Sequence, residues 1–91
     1  MISTPWEWQF PPLAKPLPLE EQIASIIGEV VEAVEALQNG EGWERVAEEL
    51  MDVCHRTESA IRQLPFDDNQ LSAIKRGVIE KNDRRGYYGG E

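Results

Sequence analysis

Four acidic residues fall into two pairs with the same spacing, Glu29-Val-Val-Glu32 and Glu49-Leu-Met-Asp52. On an α-helix, residues three apart are neighbours on successive turns, and like charges placed there repel by roughly 0.2–0.5 kcal/mol per pair. One Glu-x-x-Glu carries little information, because acidic helices hold such pairs on solvated faces. Two pairs on consecutive helices carry more. If those helices form an antiparallel hairpin, four carboxylates converge, and charges that close need a counter-charge. A hard divalent cation supplies one: Mg2+ takes oxygen ligands, keeps several waters and bridges carboxylates to substrate phosphates. The candidate metal ligands are therefore Glu29, Glu32, Glu49 and Asp52.

Three helices must position these groups. From Leu19 onward, Ile23, Ile26, Ile27, Val30, Val34 and Leu37 recur at helical spacing and predict an inward apolar stripe. Asn39-Gly40 supplies a stop. With about 100° of rotation per residue and Ile23 at 0°, Glu29 falls near 240° and Glu32 near 180°, among Ser25, Ala33 and Ala36. That is a face of small residues, which another element can approach. Glu35 falls elsewhere and reads as ordinary surface, while Glu20 and Glu21 suit a helix N-terminus. The spacing predicts a second helix over 43–64, with Val46, Leu50, Val53, Thr57, Ala60, Ile61 and Leu64 inward and Glu49 and Asp52 flanking that stripe. Pro65 breaks it, and Phe66-Asp67-Asp68-Asn69 offers capping groups for a third helix over about 69–85.

On that third helix Leu71, Ile74 and Val78 predict the inward face, which continues into Lys81 and Arg85, with Asn82 beside them. Basic residues in a last turn complement the helix dipole and need no further role. Next to a carboxylate–metal cluster, however, they have the character of a phosphate clamp.

The chain has 91 residues and a formal net charge of −8. A domain of this length buries only about 60% of its unfolded surface, so the expected architecture is all-α: a small antiparallel bundle of about three helices, completed by oligomerisation. Residues 1–18 hold five of the six prolines and form an extended arm in this reading, ahead of a helical domain over 19–91. Within the arm, Trp6, Trp8 and Phe10 alternate as in a short strand. The charge argues against nucleic acid or an anionic membrane as partner. Cys54 is the only cysteine, so no internal disulfide forms. Neither a signal peptide nor a membrane-spanning run is evident, and the expected location is cytoplasmic.

Together, Glu29-Val-Val-Glu32, Glu49-Leu-Met-Asp52 and Lys81-Asn-Asp-Arg-Arg85 resemble the pattern of the all-α NTP pyrophosphohydrolases, the MazG-like superfamily, and especially its short phage and bacterial single-domain members. The resemblance spans about residues 19–88. The Pro-rich arm matches no family feature, and the chain is shorter at its front than members with an extra leading helix. The resemblance implies hydrolysis of a nucleoside triphosphate, or in some branches a diphosphate, at the α-phosphorus; a triphosphate yields monophosphate and pyrophosphate. It further implies Mg2+ held by Glu29, Glu32, Glu49 and Asp52, phosphate oxygens bound by Lys81 and Arg85, and a homodimer or homotetramer.

Other residues have weaker claims. His55, one turn beyond Asp52, is a candidate partner of a metal ligand, but without a second histidine a di-iron site is not expected. Trp43, Tyr87, Tyr88, Trp6 and Trp8 are candidates for stacking on a base. Asn82 turns toward the core and could bond within the site. Cys54 reads as a small buried hydrophobe and Arg84 as solvent-facing. The rival readings are a non-catalytic acidic module, such as a DNA mimic, and a nucleotide-binding relative without turnover. The first predicts acids spread over the surface rather than clustered.

Overall fold

The computed structural model describes residues 5–89. These form three α-helices and no strand: α1 (Leu19–Gln38), α2 (Trp43–Ile61) and α3 (Asp68–Arg84). The all-α expectation is met. Among the described residues no helix is long and apolar enough to cross a membrane. The chain divides into two compact units. One is Trp8–Leu64; the other joins the described residues up to Glu7 with those from Pro65 on.

In the first unit α1 and α2 pack along one another as a hairpin. Pro18 opens α1, its carbonyl accepting the Gln22 N–H at 2.8 Å. The helix ends where expected. Gly40 takes the left-handed conformation (φ 64°), its N–H bonds the Leu37 carbonyl, and the Glu41 N–H bonds the Ala36 carbonyl. This paired closure is the common glycine-dependent helix stop. Two residues later Gly42, at φ 96° and ψ 154°, caps α2 in a conformation that side chains beyond hydrogen resist. The link is thus short enough to keep the two helices side by side. The second helix is shorter than expected, because its last residues, 62–64, tighten into single turns before Pro65.

The face that α1 buries is not the predicted one. Gln22, Ala33 and Ala36 are buried, whereas Ile23, Ile27, Val30, Val34 and Leu37 are between 45% and 69% exposed. On α2 the buried residues are Glu49, Glu58, Ser59 and Ala60, and Leu50 stands outward. The physical reason is that small side chains let the helix axes approach closely, and Gln22 reaches across the gap to the Arg56 carbonyl. The large aliphatic stripe of α1 is left for another surface.

Residues 8–17 have no regular secondary structure, and they are tied to α2. The nearly buried Glu58 carboxylate accepts N–H groups from Gln9 (2.9 Å) and Phe10 (3.0 Å). Arg62 donates to the Phe10 carbonyl at 2.8 Å and lies 4.0 Å over the Trp8 ring. Phe10 in turn stacks on His55, centroids 5.0 Å apart. Gln22, with no solvent exposure, accepts from the Leu17 N–H and donates to the Arg56 carbonyl, so one side chain joins α1, α2 and the connecting segment.

In the second unit, Asp67 caps α3: its carboxylate accepts the Gln70 N–H at 2.8 Å, and the Gln70 side chain accepts the Asp67 N–H at 2.8 Å. Leu71 is buried as expected, but Ile74 and Val78 are not. The Trp6 N–H donates to Ser72 Oγ at 2.7 Å, and Lys75 reaches the Pro5 carbonyl. Gly86 (φ 76°) ends α3 with the same closure seen after α1, the Tyr87 N–H taking the Asn82 carbonyl.

Candidate metal centre

The packing of α1 on α2 brings three of the four predicted acids together. Glu29, Glu32 and Glu49 each place a carboxylate oxygen within 4.8 Å of the others. Glu29 and Glu32 come from adjacent turns of the small-residue face of α1, and Glu49 meets them from α2. Asp52, one turn further along α2, is not in that group. With Glu29 it lines an adjoining cavity of about 170 Å³, walled also by Leu13, His55, Arg56 and Ser59.

Burial differs across the cluster. Glu49 is 2% exposed, Glu29 is half-buried and Glu32 reaches solvent. Arg45 approaches Glu49 Oε1 at 2.6 Å from the preceding turn, but the buried Oε2 has no hydrogen-bond partner among the described residues. Arg56 approaches Glu29 at 3.5 Å. Among the described residues no cation lies within 4.0 Å of Glu32. Its carboxyl is held above the ordinary value of 4.5, first by a hydrogen bond to Glu49 and then by the negative charges of Glu29 and Glu49. A proton on Glu32 is one way to relieve the cluster, and a metal ion is the other.

The residues fit such an ion. All the donors are carboxylate oxygens, the set that hard divalent cations prefer and that soft, thiol-seeking metals do not. A fully buried carboxylate oxygen without a donor is costly unless something positive faces it. Glu49 is such a group, and it sits where two other carboxylates converge.

The remaining sequence candidates are distributed as follows. Lys81, on α3, and Arg85, just past its end, are exposed and Asn82 is half-buried, all in the other unit. They do not lie on a buried stripe as expected, since Ile74 and Val78 beside them are open to solvent. His55 is engaged by Phe10, although its Nε2 is buried without a hydrogen-bond partner among the described residues. Trp43 is 80% exposed at the hairpin end, and Tyr87 and Tyr88 are exposed. Cys54 is exposed, not buried, because α2 turns its acid-bearing and Ala60 faces inward instead.

The sequence reading missed Arg45, Arg56, Glu58, Arg62 and Gln22. A signal for the first two was present: Arg45, Glu49, Asp52 and Arg56 stand at i, i+4, i+7 and i+11, which places them on one face of α2. His55, Glu58 and Arg62, at i, i+3 and i+7, form a second such line.

No family model, characterised protein or solved structure matches this chain. The resemblance to the MazG-like superfamily therefore stands on its motif residues alone.

Proposed function

We propose that the protein is a Mg2+-dependent nucleotide pyrophosphohydrolase that cleaves a (d)NTP to the (d)NMP and pyrophosphate. The observation that carries this reading is the convergence of Glu29, Glu32 and Glu49, the last of which is buried with one carboxylate oxygen that lacks a donor among the described residues. The clustering of acids also speaks against a module whose charge is spread for display.

In this proposal Glu29, Glu32, Glu49 and Asp52 hold Mg2+ from α1 and α2. When bound, the ion neutralises phosphate charge and activates a water. Glu49, buried on α2, fixes the floor of the site. Glu32, solvent-facing and without a cationic partner, is the carboxylate available to accept a proton from the attacking water. Lys81, Asn82 and Arg85 enter as phosphate-binding residues on the strength of the sequence motif. A cytoplasmic setting belongs to the same proposal.

The open stripe Ile23, Ile27, Val30, Val34 and Leu37 runs about 21 Å along α1 at 1.5 Å per residue. A second copy of this chain is the occupant we assign to it, because a single helical stripe can pair with itself across a two-fold axis.

The deciding experiment is pyrophosphate release from the common NTPs and dNTPs, with Mg2+ and with EDTA. Release that requires the metal is expected for at least one of them. Equal release with EDTA, or none from any nucleotide tested, overturns the proposal.

A further inference from the structure

Arg45 and Arg56 flank the acids of α2, one before Glu49 and Asp52 and one after, and each has its guanidinium on a member of the carboxylate cluster. Arg45 Nη2 lies 2.6 Å from Glu49 and Arg56 Nε lies 3.5 Å from Glu29. The carboxylates they touch are shielded, with side chains 3% and 15% exposed, yet the arginine side chains are 51% and 39% exposed. The cations therefore reach in from solvent, and they can swing out again without repacking the hairpin. Glu32, the third acid, has no such cation.

We infer that Arg45 and Arg56 are exchangeable counter-ions that become phosphate ligands: they neutralise Glu49 and Glu29 in the metal-free protein, and a divalent cation releases them to grip an inorganic or nucleotide polyphosphate from either side. The inference rests on the metal reading of Glu29, Glu32 and Glu49. Its physical basis is charge neutralisation. A divalent ion drawn to these carboxylates carries twice the charge of a guanidinium, and by neutralising them it weakens their hold on Arg45 and Arg56. A released guanidinium presents a planar fork of donors, the geometry best matched to phosphate oxygens. Each arginine would then hold one part of an extended anion centred on the metal. Arg45 also faces Glu41 at 3.8 Å, which gives it a resting place near the site when it leaves Glu49. The polar hollow lined by Glu32, Glu35, Asn39, Glu41, Arg45 and Glu49 leaves room for that movement.

The test uses the full chain with Mn2+ and inorganic tripolyphosphate as probes, and measures binding of each by calorimetry. Mn2+ alone is expected to bind Arg45→Gln and Arg56→Gln as tightly as the wild type, or a few-fold more tightly, because a positive charge beside the carboxylates has been removed. Tripolyphosphate, in the presence of Mn2+, is expected to bind each variant roughly tenfold or more weakly, the loss typical of a hydrogen bond to a charged group. Arg45→Lys and Arg56→Lys, which retain the charge, should recover part of that loss and guard against a folding defect in the glutamine variants. Tripolyphosphate affinities within twofold of wild type in both glutamine variants overturn the inference and leave the metal site standing. If the wild type binds no Mn2+, the metal reading and this inference fall together.

Discussion

Glu32 and Glu49, on the two packed helices of the hairpin, bring carboxyl oxygens within 4.8 Å of one another, and that closeness strengthens the hold of Glu32 on its proton. The folded chain thus binds this proton more tightly than the unfolded chain does. Its stabilising contribution is complete below the ordinary value of 4.5 and is lost as pH rises through the raised folded-state value. In EDTA, thermal stability is therefore expected to fall as pH increases above that ordinary value, and Glu32→Gln should flatten that part of the profile. With Mg2+ present the proton is displaced by the ion, and the wild-type decline should disappear. A wild-type profile in EDTA that is level through this range contradicts the relationship.

Replacing Glu32 by Gln, or Asp52 by Asn, is expected to abolish Mg2+-dependent turnover. The Glu32 change should leave the fold intact, since it removes a charge from a repulsive cluster at a solvent-facing position. Circular dichroism and the pyrophosphate assay, run on the same preparations, check both halves. Near-normal activity in either variant would show that the carboxylate in question is not needed.

Glu58 illustrates a different dependence. Its carboxylate satisfies the backbone N–H groups of Gln9 and Phe10 from an almost enclosed position. Glu58→Ala strands both donors and should cost about 1–3 kcal/mol, read as a lower urea midpoint. The amide hydrogens of Gln9 and Phe10 should also exchange faster with solvent, whereas those in the middle of α1 should not.

Two local changes test the helix ends. Asp67→Ala removes the side-chain cap of α3 and is expected to destabilise it by about 0.5–2 kcal/mol. Gly42→Ala places a side chain at φ 96°, with no neighbouring atom in the way, so its cost is conformational, of order 1–3 kcal/mol. Urea unfolding of each variant measures these values.

The assembly proposal is tested by charge. Val30→Glu or Ile27→Glu puts a carboxylate into the middle of the exposed α1 stripe. Sedimentation should show the wild type as a multimer and these variants as smaller species. A wild type that remains a single chain at all concentrations excludes the self-pairing of α1.

The sequence made the helices legible because their boundaries are written in local chemistry: Pro18, Asn39-Gly40, Pro65, the Asp67 cap and Gly86 each act within one turn. The pairing of Glu29 and Glu32 on a small-residue face was legible for the same reason, since it needs only the helical repeat. The facing of the helices was not. Hydrophobic periodicity identified a stripe on α1 that wants cover, but not what covers it, and the hairpin is built instead on Ala33, Ala36, Ala60 and Ser59 with Gln22, Glu49 and Glu58 among them. The ties from Glu58 and Arg62 to residues 8–10 were hidden for another reason. They use backbone groups of an irregular segment, which leave no pattern in side-chain order.

That alanine- and glutamate-lined contact has a calorimetric consequence. The heat-capacity change of unfolding is set by the apolar surface that becomes wet, ordinarily about 12–15 cal/mol/K for each residue. In this hairpin the large aliphatic side chains of α1 are already wet before unfolding begins. An isolated chain should therefore show an unusually small heat-capacity increment and a stability curve that is flat with temperature. Chains that cover the stripe should regain the ordinary increment and the curvature that goes with it.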